Sequence, residues 1–212
     1  MRQKEIIVIG GGGHAKVVIS LLLADDNYKV LGYTDKSDRG PILGVKFLGN
    51  DEILPKLKSK YPRLSAAIGV GKVTKENIRI EVRKKILKNG FELPVIISKK
   101  ALIHKDAVIG EGTVISDGAI IQVGAKIGAC AIINTGSIVE HDCVIGDFVH
   151  VASGATVSGG VTIGKNTMVG AGSTIIQYKK IGHDCLIAAG AVVVDDCQSN
   201  GFYAGVPAVL KK

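Results

Sequence analysis

Two short segments of this 212-residue chain carry the same histidine–aspartate–cysteine sequence. His141 and Asp142 belong to the first segment, and His183 and Asp184 belong to the second. Histidine titrates near neutral pH, and a carboxylate beside it can fix its tautomer and stabilise its charged form. Either histidine could therefore act as a general base, and both could instead be structural. His150, close to the first segment, favours His141 as the catalytic residue.

A glycine-rich segment, residues 10–14, predicts an anion site near the start of the chain. It joins a predicted strand, Glu5–Ile9, to a predicted helix, Ala15–Leu23, and a second predicted strand, Lys29–Tyr33, completes a β-α-β unit. Glycine lets the backbone approach an anion closely at a helix N-terminus. Asp35 lies near the place of a ribose-binding acid. A nucleotide-linked ligand is favoured over NAD because the domain is short, and a structural turn stays possible.

Aliphatic residues recur at every sixth position from Ile103 to Val193, sixteen times without a break. The residue four positions after each of them is small or β-branched in fifteen cases, and Lys179 is the exception. A period of six fits neither an α-helix nor a flat alternating strand. It fits a short strand followed by a turn, three of which close a triangular coil that stacks about 4.8 Å from the next. The second half is therefore predicted to be a parallel β-helix.

The four cysteines follow the same repeat. Cys143, Cys185 and Cys197 occupy the small inward position, and Cys130 lies one position earlier. Cysteine at such a position acts as a small hydrophobic residue. We therefore expect no disulfides, and because no C-x-x-C spacing occurs we expect no metal site.

The net charge of +8 is unevenly distributed. Residues 1–100 contain 20 Lys/Arg and 10 Asp/Glu, whereas residues 101–212 contain 7 and 9. A basic half suits a polyanionic ligand such as a nucleotide, or is simply a solvated surface. Aromatic and basic residues do not interleave, which disfavours nucleic acid. No apolar run reaches the roughly 20 residues of a membrane span, and no secretory signal is recognisable, so we expect a cytoplasmic protein.

The sequence divides near Pro94. Residues 1–98 are predicted to form a Rossmann-like α/β domain, and residues 99–212 the β-helix. Residues 69–76 are a candidate loop at an acceptor pocket. The other predicted elements of the first domain are a short basic helix over Asp51–Tyr61 interrupted at Pro55, a buried strand over Ser65–Val70 and an amphipathic helix over Lys75–Asn89.

The combination of the glycine-rich loop, the short α/β domain and the hexapeptide coils resembles one family along the whole chain. It is the family of nucleotide-sugar N-acetyltransferases and sialic acid O-acetyltransferases. The strongest local match is the segment Val139–Gly146 with Phe148 and His150. Near the end of the chain, Val206 and Val209 replace the family's Asn and Lys. The resemblance implies a left-handed β-helix, a homotrimer and acetyl-CoA as co-substrate.

The resemblance also implies roles for individual residues. His141 would be the general base and Asp142 would orient it. The implied cofactor-binding residues are His150, Gly159, Ala171 and Ala189, with the amide of Gly159 on the thioester oxygen. The implied substrate-binding residues are Gly10, Gly12, Gly13 and His14 at the diphosphate and Asp35 and Lys36 near the base or ribose. Asn134, seven residues before His141, is either a further acceptor contact or a corner residue.

The leading hypothesis is acetyl-CoA-dependent N-acetylation of a nucleotide-linked amino sugar, a 4-amino sugar carried on UDP or GDP. O-acetylation of a sialic acid or of another sugar hydroxyl would need the same base. A β-helix scaffold without catalysis and an NAD-dependent enzyme are the remaining alternatives.

Overall fold

The computed structural model describes residues 3–72 and 78–211, which form two compact units. The first unit comprises residues 3–71 and 78–96, and the second comprises residue 72 and residues 97–211. Residues 73–76, half of the loop predicted over residues 69–76, lie outside the described residues. No helix among the described residues is long and apolar enough to cross a membrane.

The first unit is a parallel α/β sheet, as the β-α-β pattern predicts. Its strands are ordered β3-β2-β1-β4, and all neighbouring strands are parallel. The elements are β1 (Lys4–Ile9), α1 (Gly13–Leu23), β2 (Tyr28–Thr34), β3 (Phe47–Gly49), a turn of 3₁₀ helix (Asp51–Ile53), α2 (Leu54–Lys60), β4 (Ser65–Ile68) and α3 (Ile78–Lys88). β3, a strand of only three half-buried residues, was not predicted from the sequence.

Burial explains the central strands. Ile6–Ile9 of β1 is a continuous apolar run with every side chain buried, as expected for a parallel strand that is covered on both faces. Pro55 lies in the first turn of α2, where the missing N–H of proline leaves no helical hydrogen bond unmade. The segment predicted as one interrupted helix is therefore a 3₁₀ turn that continues into α2.

The second unit is a left-handed parallel β-helix of two-residue strands separated by tight turns. The strands are β5 (Ile96–Ile97), β6 (Leu102–Ile103), β7 (Val108–Ile109), β8 (Val114–Ile115), β9 (Ile120–Ile121), β10 (Lys126–Ile127), β11 (Ile132–Ile133), β12 (Ile138–Val139), β13 (Val144–Ile145), β14 (His150–Val151), β15 (Thr156–Val157), β16 (Thr162–Ile163), β17 (Met168–Val169), β18 (Thr174–Ile175), β19 (Lys180–Ile181), β20 (Leu186–Ile187), β21 (Val192–Val193), β22 (Phe202–Ala204) and β23 (Val209–Lys211).

Three parallel sheets form the faces of this β-helix. The first face has the order β7-β10-β13-β16-β19, the second β5-β8-β11-β14-β17-β20-β22-β23, and the third β6-β9-β12-β15-β18-β21. Only β23, which closes the second face, is antiparallel to its neighbour. We name the turns between faces the first–second, second–third and third–first corners. A residue therefore stacks on the residue 18 positions later, as Ile145 does on Ile163.

The interior confirms the sixfold phasing. Aliphatic residues from Ile115 to Val193 at this spacing are all buried, and small residues fill the spaces at the corners. All four cysteines are buried and none forms a disulfide. Burial raises the pKa of Cys143 to about 11 and that of Cys197 to about 12, so both are thiols at neutral pH.

Candidate active site

His141 and Asp142 lie in the third–first corner between β12 and β13. Asp142 adopts a left-handed backbone conformation with φ +58°, which aspartate tolerates better than most residues. Nδ1 of His141 donates to Oδ2 of Asp142 over 3.0 Å. Because an ionised carboxylate only accepts, Nδ1 carries the proton and Nε2 is unprotonated in the neutral ring. The His141 side chain is 49% exposed, so Nε2 can reach a substrate.

Gly159 lies one coil beyond His141 in the same corner. A Cβ atom on Gly159 would be 2.4 Å from Nε2 of His141, so the ring occupies the space that any side chain at residue 159 would need. The amide of Gly160 donates to the carbonyl of His141 over 2.9 Å and fixes the two coils in register. Gly159 is buried, and its amide donates to no residue in the described part of the chain. Nε2 of His141 therefore lies next to Gly159, whose own amide makes no hydrogen bond within the described residues.

The second histidine–aspartate pair lies in a different corner and has different surroundings. His183 is in the first–second corner after β19, and its Nδ1 is 2.7 Å from Oδ2 of Asp184. Ser199, not a glycine, lies on the next coil and accepts from the His183 amide over 3.1 Å. The Asp184 carboxylate also accepts from Nδ2 of Asn166 over 2.6 Å. His183 thus lacks the arrangement that Gly159 gives to His141.

Electrostatics distinguish this second carboxylate further. Burial raises the pKa of Asp184, but hydrogen bonds from Asn166 and His183 and the positive charges of His183 and Lys72 lower it below its usual value. Its side chain is 30% exposed, against 74% for Asp142. Asp184 is therefore a carboxylate held ionised by a set of protein groups.

His150, the first residue of β14, is buried on the second face. Its Nδ1 donates to the carbonyl of Lys72 over 2.8 Å. Its Nε2 lies 3.3 Å from Nδ2 of Asn134, a half-buried residue of the second–third corner. Oδ1 of Asn134 accepts from the amide of Thr135 over 2.8 Å, so Nδ2 is the atom that faces His150. Both nitrogens of the His150 ring are thus engaged by protein groups.

Ala171 and Ala189 stack in the second–third corner, on consecutive coils above Asn134. Both are exposed. A Cβ atom on Gly170 would lie 2.5 Å from the amide nitrogen of Ala189, which shows how closely the coils approach here. The structure therefore brings Asn134, Ala171 and Ala189 to one corner of the β-helix, while His141, Asp142 and Gly159 lie at the next one.

In the first unit, Asp35 ties down the glycine-rich loop. Its carboxylate accepts from the amide of Gly11 over 2.7 Å, from the amide of Lys36 over 2.6 Å and from Nε of Arg39 over 3.1 Å. Burial raises the pKa of Asp35, but the two amide hydrogen bonds and the Arg39 guanidinium lower it by more, and the pKa lies below its usual value. The carboxylate of Asp35, the predicted ribose-binding acid, thus already accepts hydrogen bonds from residues of this chain.

The loop itself borders a cavity of about 500 Å³ at the start of α1. Gly10 has φ +108°, whereas Gly12 and Gly13 face open space. The lining comprises Gly11, Gly12, Gly13, Lys16, Arg39, Pro41, Ile42 and Leu43. His14 is half-buried in the first turn of α1, where its Cβ lies 3.2 Å from the Cβ position of Gly71, and Lys36 is exposed.

Two basic residues of this lining, Lys16 and Arg39, were not among the sequence candidates. Lys16 follows the glycines by one helical turn, and Arg39 follows Asp35 by four residues. These spacings from the glycine-rich loop and from Asp35 are the sequence features that could have identified the two residues as candidates. No group of three His, Cys, Asp or Glu side chains among the described residues could hold a metal ion.

Family models match both halves of the chain. The PglD N-terminal domain matches residues 5–89, and the bacterial transferase hexapeptide (six repeats) matches residues 142–177. These are the two parts that the fold separates.

Solved structures match the chain over its whole length. A variant of perosamine N-acetyltransferase from Caulobacter crescentus, solved with CoA and GDP-perosamine, is 34% identical with a TM-score of 0.92, and the match covers 98% of this chain and 97% of that one. The acetyltransferase domain of PglB from Neisseria gonorrhoeae, solved with acetyl coenzyme A, is 32% identical with a TM-score of 0.92, covering 99% and 100%. WeeI from Acinetobacter baumannii is 25% identical with a TM-score of 0.85, covering 97% and 99%.

The fold and these matches define a hexapeptide-repeat acyltransferase with an α/β domain that precedes the β-helix in the sequence. The chain belongs to the PglD-type family of these acyltransferases, and it is an acetyltransferase. The family resemblance inferred from the sequence is confirmed.

Proposed function

We propose that this enzyme transfers the acetyl group of acetyl-CoA to the amino group of a nucleotide-linked amino sugar, a 4-amino sugar carried on UDP or GDP. The similarity to a perosamine N-acetyltransferase solved with CoA and GDP-perosamine supports the substrate class. The observation that carries the proposal is the unprotonated Nε2 of His141 over Gly159, 2.4 Å from the position of a Cβ atom there.

His141 is the proposed general base. Its Nε2 takes a proton from the acceptor amine as the amine nitrogen attacks the thioester carbon, and Asp142 stabilises the imidazolium that forms. The amide of Gly159 donates to the carbonyl oxygen as that oxygen becomes negative. The C–S bond then breaks, and the imidazolium returns its proton to the departing thiolate. Base catalysis is typically worth about 10²–10⁴-fold and an oxyanion donor about 10²–10³-fold.

The nucleotide is proposed to bind at the cavity of the first unit. Gly10, Gly12 and Gly13 let the backbone approach the diphosphate at the start of α1, and His14 lies in the first helical turn. Lys16 and Arg39 add two positive charges to the same cavity. Lys36, exposed beside Asp35, is a proposed contact for the base or ribose, in a loop that Asp35 holds in shape.

A homotrimer is proposed because the candidate residues fall at two separate corners. The third–first corner supplies His141 and Gly159. The second–third corner would supply an acyl-donor surface with Ala171 and Ala189, braced by His150 and Asn134. Closed cyclic assembly repeats the same pair of surfaces at every interface, so one corner of each copy can face the other corner of its neighbour. Each active site would then be built from two subunits.

The proposal is tested by thiol release from acetyl-CoA with a panel of UDP-, GDP- and CMP-linked sugars. We expect turnover with a 4-amino sugar nucleotide, little with the matching 4-hydroxy sugar, and an acetamide in the isolated product. Acetylation of the hydroxy sugar, with an ester as product, would favour the O-acetyltransferase alternative. No thiol release with any 4-amino sugar nucleotide would contradict the proposed function.

A further inference from the structure

We propose that Lys72, Asn166 and Asp184 form a brace that positions His150, and that this is the task of the second histidine–aspartate pair. We call these three residues the Lys72 brace. Their contacts join residues 94 positions apart in the chain, and they lie on the β-helix away from the third–first corner. The part of the inference that concerns catalysis rests on the proposed function.

The brace is a continuous set of short polar contacts. Nζ of Lys72 donates to Oδ1 of Asn166 over 2.6 Å, and Nδ2 of Asn166 donates to Oδ1 of Asp184 over 2.6 Å. The other carboxylate oxygen of Asp184 accepts from His183. Lys72 and Asn166 are each only 5% exposed. A buried ammonium is costly without compensating charge, and the ionised Asp184 carboxylate supplies negative charge to which Lys72 is electrostatically coupled.

The orientation of the Asn166 amide follows from its two neighbours. Its oxygen must face the ammonium and its nitrogen the carboxylate, since the reverse would place donor against donor and acceptor against acceptor. Asn166 also has φ +57°, a conformation that asparagine adopts more readily than most residues. Asn166 therefore transmits the position of the Asp184 carboxylate to the Lys72 side chain.

The backbone of Lys72 is what holds His150. A carbonyl oxygen only accepts, so the 2.8 Å contact requires a proton on Nδ1 of His150. Asn134 presents its Nδ2 donor to the opposite nitrogen, which must then be unprotonated. The brace thus selects one neutral tautomer of His150. His150 in turn fixes the amide of Asn134, at the corner that carries Ala171 and Ala189.

This arrangement explains why two identical sequence motifs differ in role. Asp142 accepts only from its own histidine among the contacts described above, and its side chain is 74% exposed. Asp184, whose side chain is partly exposed, is the end of a chain of contacts that passes through the buried Asn166 and Lys72 to His150. Lys72 is accordingly a positioning residue for the proposed acyl-donor surface.

The test is the tautomer of His150 in the full-length protein labelled with ¹⁵N-histidine, measured by NMR without substrates. We expect the wild type to show the Nδ1-protonated tautomer. Lys72→Met should give a mixture of tautomers at His150, whereas Lys165→Met, which removes an exposed lysine beside Asn166, should leave it unchanged. In steady-state kinetics we expect Lys72→Met to raise the KM for acetyl-CoA about tenfold, the loss of one well-placed hydrogen bond, with a smaller change in kcat.

Asn166→Gly provides a second variant that removes the amide and accepts the positive φ. Asn200→Gly, at another positive-φ corner, is its backbone control. The same tautomer mixture in Asn166→Gly, absent from the control, would support the brace even if Lys72→Met failed to fold. An unchanged His150 tautomer in the folded variants would overturn it. Absence of acetyl transfer by the wild type would instead refute the proposed function, because the tautomer measurement needs no substrate.

Discussion

The ring of His141 has room at its position only because residue 159 is a glycine. His141 and Gly159 are 18 residues apart in sequence and one coil apart in space, since strands 18 residues apart pair in register. The ring of His141 lies where a β-carbon at residue 159 would be, and Gly159 itself is buried. His183 is followed by the same aspartate and cysteine, but on the next coil its neighbour is Ser199 and not a glycine. Local sequence is therefore insufficient to identify the base, and stacking across coils decides it.

Gly159→Ala should lower kcat by about 10²-fold or more, because the added methyl displaces the His141 ring and covers the proposed oxyanion donor. The measurement is thiol release under saturating substrates, with circular dichroism to confirm folding. Lys165→Ala, a substitution at the equivalent turn position of another corner, should keep the wild-type kcat. A Gly159→Ala enzyme with wild-type kcat would show that neither the ring position nor the amide matters.

At the scale of elements, the repeat made the β-helix predictable, since every six residues encode one strand and one turn and each coil packs only on its neighbours. The β-α-β unit was predictable from its apolar runs and glycines. β3 was missed because three half-buried residues give no periodic signal. The contact of Lys72 with Asn166 could not be foreseen, because neither the spacing nor the residue types suggest a pairing across 94 positions.

Ile145→Ala should lower the free energy of unfolding by about 2–5 kcal/mol, since Ile145 is only 1% exposed inside the coil and the substitution leaves a cavity there. Chemical denaturation measures the change. Val144→Ala, the adjacent residue with a side chain 44% exposed on the outside, is the matched control and should cost less than about 1 kcal/mol. Equal costs for the two variants would contradict the assigned inward phase.

The hydrogen bonds that the Asp35 carboxylate accepts from the amides of Gly11 and Lys36, which we call the Asp35 clamp, predict that thermal stability depends on pH. The pKa of Asp35 is lower in the folded state than the ordinary value of about 3.9. The ionised carboxylate therefore stabilises the folded state fully above that ordinary value, and this stabilisation is lost as the pH falls through the lower folded-state pKa. We expect the Tm of the wild type to fall more steeply between about pH 5 and pH 3 than that of Asp35→Asn. Asp38→Asn, an exposed neighbour, controls for the change in charge, and parallel profiles of wild type and Asp35→Asn would refute the clamp.

At the scale of the whole molecule, the candidate residues form two groups on adjacent corners of one β-helix. The sequence alone gives only their positions along the chain, and the family resemblance implies that they belong to one site. The geometry of a single chain keeps Ala171 and Ala189 apart from His141 and Gly159. The proposed site built from two neighbouring copies would reconcile the two descriptions, and activity would then depend on the assembly.

Mixed assemblies test the shared site. His141→Ala should inactivate one corner, and Ala171→Arg should block the other with a bulky cation. Each variant alone should be inactive, but co-refolding them in equal amounts should restore roughly a quarter of the wild-type sites, because random mixing places two intact corners together at that frequency. Ala171→Ser, a smaller change at the same residue, should be active by itself. No recovery in assemblies shown by native mass spectrometry to be mixed would contradict the shared site.

The proposed function requires that His141, and not His183 of the second histidine–aspartate pair, is the base for acetyl transfer to an amino sugar nucleotide. The most direct measurement compares kcat for thiol release in His141→Ala and His183→Ala with the same 4-amino sugar nucleotide. We predict a loss of at least about 10²-fold in His141→Ala and less than tenfold in His183→Ala. Comparable losses in both variants, or wild-type turnover by His141→Ala, would rule out His141 as the specific base.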